Sequence, residues 1–118
     1  LWQEPGGSGA PDPMVLEHDW DGARRVMWDY VGIVRSDTRL DIAAQRMQAL
    51  AKTVETVYWK SRVTQPLLEL RNIIAVGQLV IESARRRRES RGLHYTESHP
   101  ERDDVHFRHD TVLELPAT

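Results

Sequence analysis

Arg85, Arg86, Arg87 and Arg88 stand consecutively, and such a run could neutralise the phosphates of a nucleic acid. The neighbourhood argues otherwise. Residues 82–104 hold six arginines (85, 86, 87, 88, 91, 102) against six acids (Glu82, Glu89, Glu97, Glu101, Asp103, Asp104), so the segment is neutral. Arginines in the last turns of a helix also complement its dipole, and Glu82 with Arg86 makes an i,i+4 pair. The run reads as a solvated helix end and docking surface, with no nucleic-acid partner. His94, His99, His106 and His109 come next. With Asp103 and Asp104 they form a conceivable metal set, and His106-x-x-His109 has usable spacing. No helical frame aims them and no thiolate accompanies them, so they read as hydrated or packed histidines. His94 could serve as a general base, since an unperturbed imidazole changes charge near neutrality, yet no nucleophile or second carboxylate stands beside it. Gly7-Ser8-Gly9 opens a G-x-G but continues Ala10-Pro11-Asp12. Without a preceding strand, an opening helix or the third glycine, it does not read as a dinucleotide loop. No catalytic, cofactor-binding or metal residue is assigned from these patterns.

The elements that must position these residues follow from patterning. The chain has 118 residues, 40% hydrophobic and 29% charged, a net charge of −2 and no cysteine. That length suits one domain. The charge disfavours a strongly basic nucleic-acid binder. The missing cysteine excludes disulfides, thiolate metal sites and a Cys nucleophile. One small core can be filled, with no deep cofactor cavity besides. Leu1 to Pro13 lacks the basic start and apolar run of a secretory signal. No apolar stretch approaches the roughly 20 residues of a spanning helix, so a soluble, cytoplasmic chain with no membrane partner is expected. Leu1 in place of Met reads as a trimmed or partial chain.

Residues 1–17, rich in Pro and Gly, read as a linker. Residues 18–92 read as three helices. Trp20, Ala23, Met27, Tyr30, Val31 and Val34 make one apolar face, with Asp19 or Asp21 as cap. Leu40, Ala43, Ala44, Met47, Leu50, Ala51, Val54, Val57 and Tyr58 make the second, capped by Asp37 or Thr38 and running to about Arg62. Pro66 fits the first turn of the third, whose wide apolar arc from Leu67 to Ala84 predicts packing on two sides. Gly77 within it predicts a close helix crossing, and Gly92 predicts its stop. Arg71 is a surface residue or half of an ion pair with another helix, and Asn72 a hydrogen-bonding partner across helices. Trp20, Trp28 and Trp59 read as packing residues, with Trp28 turned away from its helix's apolar stripe. Residues 93–118 lose the period and read as an extended tail on the bundle or on an absent domain. Thr111 to Leu115 there reads as a strand in a larger protein or as an extended segment lying on the helices. The fold class is all-α: a three-helix antiparallel bundle, spectrin-repeat-like, with an extended C-terminal tail.

Leu70-Arg71-Asn72, the apolar helix, and then Glu89-Ser90-Arg91-Gly92-Leu93-His94-Tyr95-Thr96 followed by Pro100-Glu101-Arg102-Asp103-Asp104 resemble the C-terminal helical domain of the succinate dehydrogenase and fumarate reductase flavoproteins. Within that family, Met27-Trp28-Asp29-Tyr30-Val31-Gly32-Ile33-Val34-Arg35 and Leu93-His94-Tyr95 are similar to the L-aspartate oxidases. Ser98 and His99 depart from the family pattern, which has an acid and an aromatic before the proline. The resemblance implies a larger enzyme with an FAD domain and a capping domain ahead of this one. That enzyme would oxidise L-aspartate to iminoaspartate for quinolinate and NAD synthesis. FAD is then the cofactor of the whole enzyme, and none is expected in this chain. The partner implied is the FAD domain of the same polypeptide, and the isolated fragment could self-associate. Clustering of polar residues at the end of the apolar helix makes Arg71, Arg85, Arg86, Arg87, Arg88, Arg91, His94 and Tyr95 the expected docking set. The alternative is a free-standing helical interaction module that binds through Trp28 and the arginines.

Overall fold

The computed structural model describes residue 7 and residues 9–115. The rest of the expected linker, including Ser8 of the G-x-G run, lies outside the described residues. Three long helices, α1 (Pro13–Tyr30), α2 (Asp37–Lys60) and α3 (Gln65–Arg86), form the bundle, and a one-turn helix α4 (Asp104–Phe107) lies in the tail. Connections of six and four residues leave room only for a reversal, so successive helices run antiparallel.

Each helix starts where a side chain accepts a backbone N–H that the helix itself leaves unpaired. Asp12 accepts from Met14 N, and Pro13 occupies the first turn. This start lies five residues before the expected one. Asp12-Pro13 is itself a cap signature, whereas Asp19, expected as a cap, is buried on the helix. Ser36 rather than Asp37 or Thr38 caps α2, accepting from Arg39 N at 3.2 Å. Asp37 N–H is instead satisfied by Ser98 Oγ at 3.0 Å. Thr64 caps α3, with Pro66 in the first turn as expected.

The core is one stripe from each helix. Leu40, Ala43, Met47, Val54 and Tyr58 of α2 meet Leu67, Leu70, Ile74, Ile81 and Ala84 of α3, and Ala23 and Val26 of α1 close the side. At Gly77, where a close helix crossing is expected, the side-chain ends of methionines from both neighbouring helices lie across α3. A Cβ there would stand 3.1 Å from Met47 Cε and 3.4 Å from Met27 Sδ. The two-sided packing expected of α3 is not completed among the described residues. Leu68, Ile73, Val76, Leu79 and Val80 stay between 37% and 57% exposed. Two neighbouring helices cover one sector of α3, and the remaining apolar arc has nothing against it among the described residues.

Two departures lie beyond the bundle. α3 ends at Arg86, before the expected stop at Gly92, because Arg87 turns to an extended backbone (φ −87°, ψ 90°). A two-residue parallel pair also forms, β1 (Val34–Arg35) with β2 (Tyr95–Thr96), in the register Val34↔Tyr95 and Arg35↔Thr96. Strands of two residues carry no readable alternation. The pair ties the tail to the α1–α2 connection, and Glu97 N–H donates to Arg35 O at 2.7 Å. Residues Thr111 to Leu115 form no strand, with Val112 and Leu115 exposed.

Candidate functional site

The residues after α3 are organised by a buried carboxylate. Glu89 is 0% exposed. A charge so placed persists only if surrounded by donors. Its Oε2 accepts from Arg87 Nη1 at 2.5 Å and from Arg91 Nε at 2.9 Å, and its Oε1 accepts from Asp103 N–H at 2.9 Å. The Arg91 hydrogen bond, with help from the Asp103 N–H and Arg87, outweighs burial and holds the Glu89 carboxyl down to about 2. Arg91, raised above its ordinary value by Glu89 and then Asp104, reaches on to Asp104 at 2.5 Å. Arg87 spends its other donors on the tail: Thr111 Oγ1 at 3.1 Å, Phe107 O at 2.7 Å, and His109 O. The tail is thus held by guanidinium groups, not by apolar burial.

His94 sits at the second focus. Arg91 and His94 exchange backbone hydrogen bonds of 2.8 and 3.0 Å around Gly92 and Leu93. Gly92 has φ +59° and Leu93 does not share the positive sign, the pattern of a hairpin turn that needs glycine at its first central position. The imidazole then lies between Arg35 Nη1, 2.9 Å from Nδ1, and Arg87 O, 3.0 Å from Nε2. A guanidinium only donates, so Nδ1 accepts and Nε2 carries the proton given to the Arg87 carbonyl. Arg35 Nε is buried without a partner among the described residues, and burial lowers the Arg35 pKa. Arg35, Arg87 and His94 line a cleft of about 360 Å³ together with Val76, Leu79 and Val80.

The expected docking residues do not all meet here. Arg71 pairs with Glu55 of α2 through two hydrogen bonds of 3.0 Å. Its guanidinium lies 4.2 Å from the Tyr58 ring centre. Glu55, held below its usual range first by that bond, also accepts from Trp59 Nε1 at 2.8 Å. Of the two readings open for Arg71, the structure shows the interhelical ion pair. Sixteen residues along α3 separate it from Arg87, about 24 Å at 1.5 Å per residue. The four consecutive arginines do not form one face. Arg85 reaches Asp41 and Glu82, and Arg86 makes the expected pair with Glu82 at 2.9 Å. Arg87 turns inward, and Arg88 stays exposed. Tyr95 is half-exposed on β2.

His106 Nδ1 pairs with Asp103, and both His109 nitrogens meet backbone carbonyls. Among the described residues no three His, Asp or Glu gather in a metal-holding group. Trp28, turned off its stripe as expected, is 84% exposed. Glu89 and Arg35 were missed as site residues. Glu89 reads as one of six balancing acids, and its only signal is arginines two positions away on either side. Arg35 has no local signal, because its partner lies 59 residues on.

The described residues around Gly9 do not present a phosphate loop for FAD. Gly9 O accepts from Arg62 N–H at 2.7 Å, so that backbone rests on the α2–α3 corner. The cleft of about 490 Å³ beside it is rimmed by Glu17 and Glu69, which would repel a pyrophosphate.

Comparison with known proteins completes the picture. A family model described as the fumarate reductase flavoprotein C-terminus matches residues 22–117. The chain is 42% identical to an L-aspartate oxidase of Pseudomonas aeruginosa over 98% of its length, and 41% identical to one of Yersinia pestis over 95%. It covers 21% of each of those proteins, so it spans about a fifth of the length of these curated relatives. The fold is shared with a mutant FrdA chain of E. coli quinol fumarate reductase, at TM-score 0.68 and 24% identity, covering 86% of this chain and 18% of that one. An all-α bundle whose polar focus lies at the end of its third helix, matched over most of its length, belongs to the fumarate reductase flavoprotein C-terminal domain family.

Proposed function

We propose that this chain is the C-terminal helical domain of an FAD-dependent L-aspartate oxidase, which converts L-aspartate to iminoaspartate for quinolinate and NAD synthesis in the cytoplasm. The observation that carries this reading is the similarity to L-aspartate oxidases across nearly the whole chain, which amounts to a fifth of theirs. The domain's part is mechanical: it docks on the FAD domain of the same polypeptide and covers part of that domain's surface. The chemistry of FAD, hydride acceptance from the substrate, belongs to those other parts.

Within the docking set, Arg88 and Tyr95 are exposed enough to contact a partner directly. Arg85 and Arg86 are engaged on the α2 side. Arg87, Arg91 and His94 act by shaping the tail, through Glu89 and Arg35. Arg71 supports the opposite end of the bundle. Arg91→Ala in the full-length enzyme is expected to lower the thermal midpoint and loosen flavin retention. Unchanged midpoint and FAD content would overturn its place in the set. The wider reading is tested by the purified full-length protein, which should be yellow and oxidise L-aspartate. The chain alone should do neither.

A further inference from the structure

Residues Ile73, Val76, Val80 and Ser83 recur at three- and four-residue steps along α3, so they share one side of it, and Arg87 follows directly after its end. That side adjoins the buried stripe and is not covered. At one end Ile73 joins a groove of about 670 Å³ with Met27 and Trp28. At the other, Val76 and Val80 line a cleft together with Arg35 and His94. The strip is apolar along its length and cationic at its head.

Arg35 is anomalous among the arginines. Arg71, Arg87 and Arg91 are the other half-buried ones, and each holds a carboxylate. Arg35 is partly buried too, yet no carboxylate pairs with it among the described residues. It donates to His94 Nδ1, and its Nε has no acceptor among the described residues. A desolvated cation beside apolar surface is costly until an anion reaches it.

We propose that the α3 strip of Ile73, Val76 and Val80, with Arg35 at its head, receives an acidic segment of the FAD domain of the same flavoprotein, one whose carboxylate reaches Arg35 while apolar neighbours cover the strip. This rests on the chain being the C-terminal part of such a flavoprotein, where about four-fifths of the relatives' length lies outside it. A second copy of the chain is the poorer occupant. The rim carries Arg24, Arg25, Arg35 and Arg87 against Asp29, so a two-fold contact would set like charges together.

The absence of cysteine from this chain makes the test direct. Val76→Cys, Val80→Cys and, as a control on the outer face of α2, Lys52→Cys are introduced singly into the full-length flavoprotein. Maleimide labelling of each peptide is followed by mass spectrometry. Labelling at positions 76 and 80 should be at least about tenfold slower than at 52, since docked surface opens only through fluctuation. Equal rates in a yellow, FAD-loaded protein would overturn the surface and leave the flavoenzyme reading standing. A full-length protein without flavin would overturn that reading itself. Separately, the Arg35→Lys variant is treated with a carbodiimide. An amide linking position 35 to an Asp or Glu peptide outside this chain is expected. Coupling only to acids within this chain, or none, would overturn the carboxylate assignment.

Discussion

Glu89 shows how one side chain sets the shape of twenty residues. Its carboxylate joins Arg87, Arg91 and the Asp103 backbone, and Arg87 carries the connection to Thr111 and to the carbonyls of Phe107 and His109. Removing the charge leaves the Arg87 guanidinium turned inward without its anion and Arg91 with Asp104 alone. Glu89→Gln should therefore lower the thermal midpoint by roughly 5–10 °C, read by calorimetry. The pH dependence follows from the same geometry. The carboxyl is held down to about 2 in the folded chain, against about 4.3 in the unfolded one. Between those values the unfolded state binds more protons, so stability falls on acidification. The contribution is full above about pH 4.5 and lost as pH falls through about 2. Glu89→Gln should flatten that acid limb, and an unchanged limb in the variant would show that other carboxylates produce it.

At the scale of elements, the caps and the packing at Gly77 decide the bundle's geometry. Asp12 holds the first turn of α1 through Met14 N–H, and Asp12→Ala should cost about 1 kcal/mol in urea titration. Gly77 separates two effects. An alanine there gains about 1 kcal/mol of helix propensity and displaces only the flexible ends of Met47 and Met27, so the net change should stay within about 1 kcal/mol. A Gly77→Val side chain adds volume that the methionines cannot yield, and should cost about 1–3 kcal/mol. Equal stability of the two variants would contradict the methionine packing at Gly77. The helices were legible because each buries a stripe at a 3.6-residue period. The starts were less so. Asp12-Pro13 lies in a Pro-rich stretch that reads as linker, and Ser36, Asp37 and Thr38 are all competent caps, chosen between by Ser98 engaging the Asp37 N–H from the tail.

Over the whole molecule, the surface is more apolar than the bundle requires. Trp28 and Ile33 are 84% and 87% exposed, Leu93 99%, and the α3 strip adds to them. A chain carrying such patches without its covering partner should self-associate. Sedimentation of the chain alone should show concentration-dependent oligomers, and Leu93→Glu, outside the α3 strip, should shift them toward monomer with helix content unchanged. A strictly monomeric wild-type chain would contradict these exposed residues as an association surface.

The sequence by itself determined the three helices, their stripes and the family, since these depend on periodicity and on short runs of neighbouring residues. Only the tertiary structure decided that Glu89 is buried, that Arg35 meets His94, and that α3 keeps one flank bare among the described residues. Each of these depends on where α3 stops and how the tail returns to β1. That path is set by hydrogen bonds between residues 59 to 62 positions apart, and no local pattern records contacts at that separation.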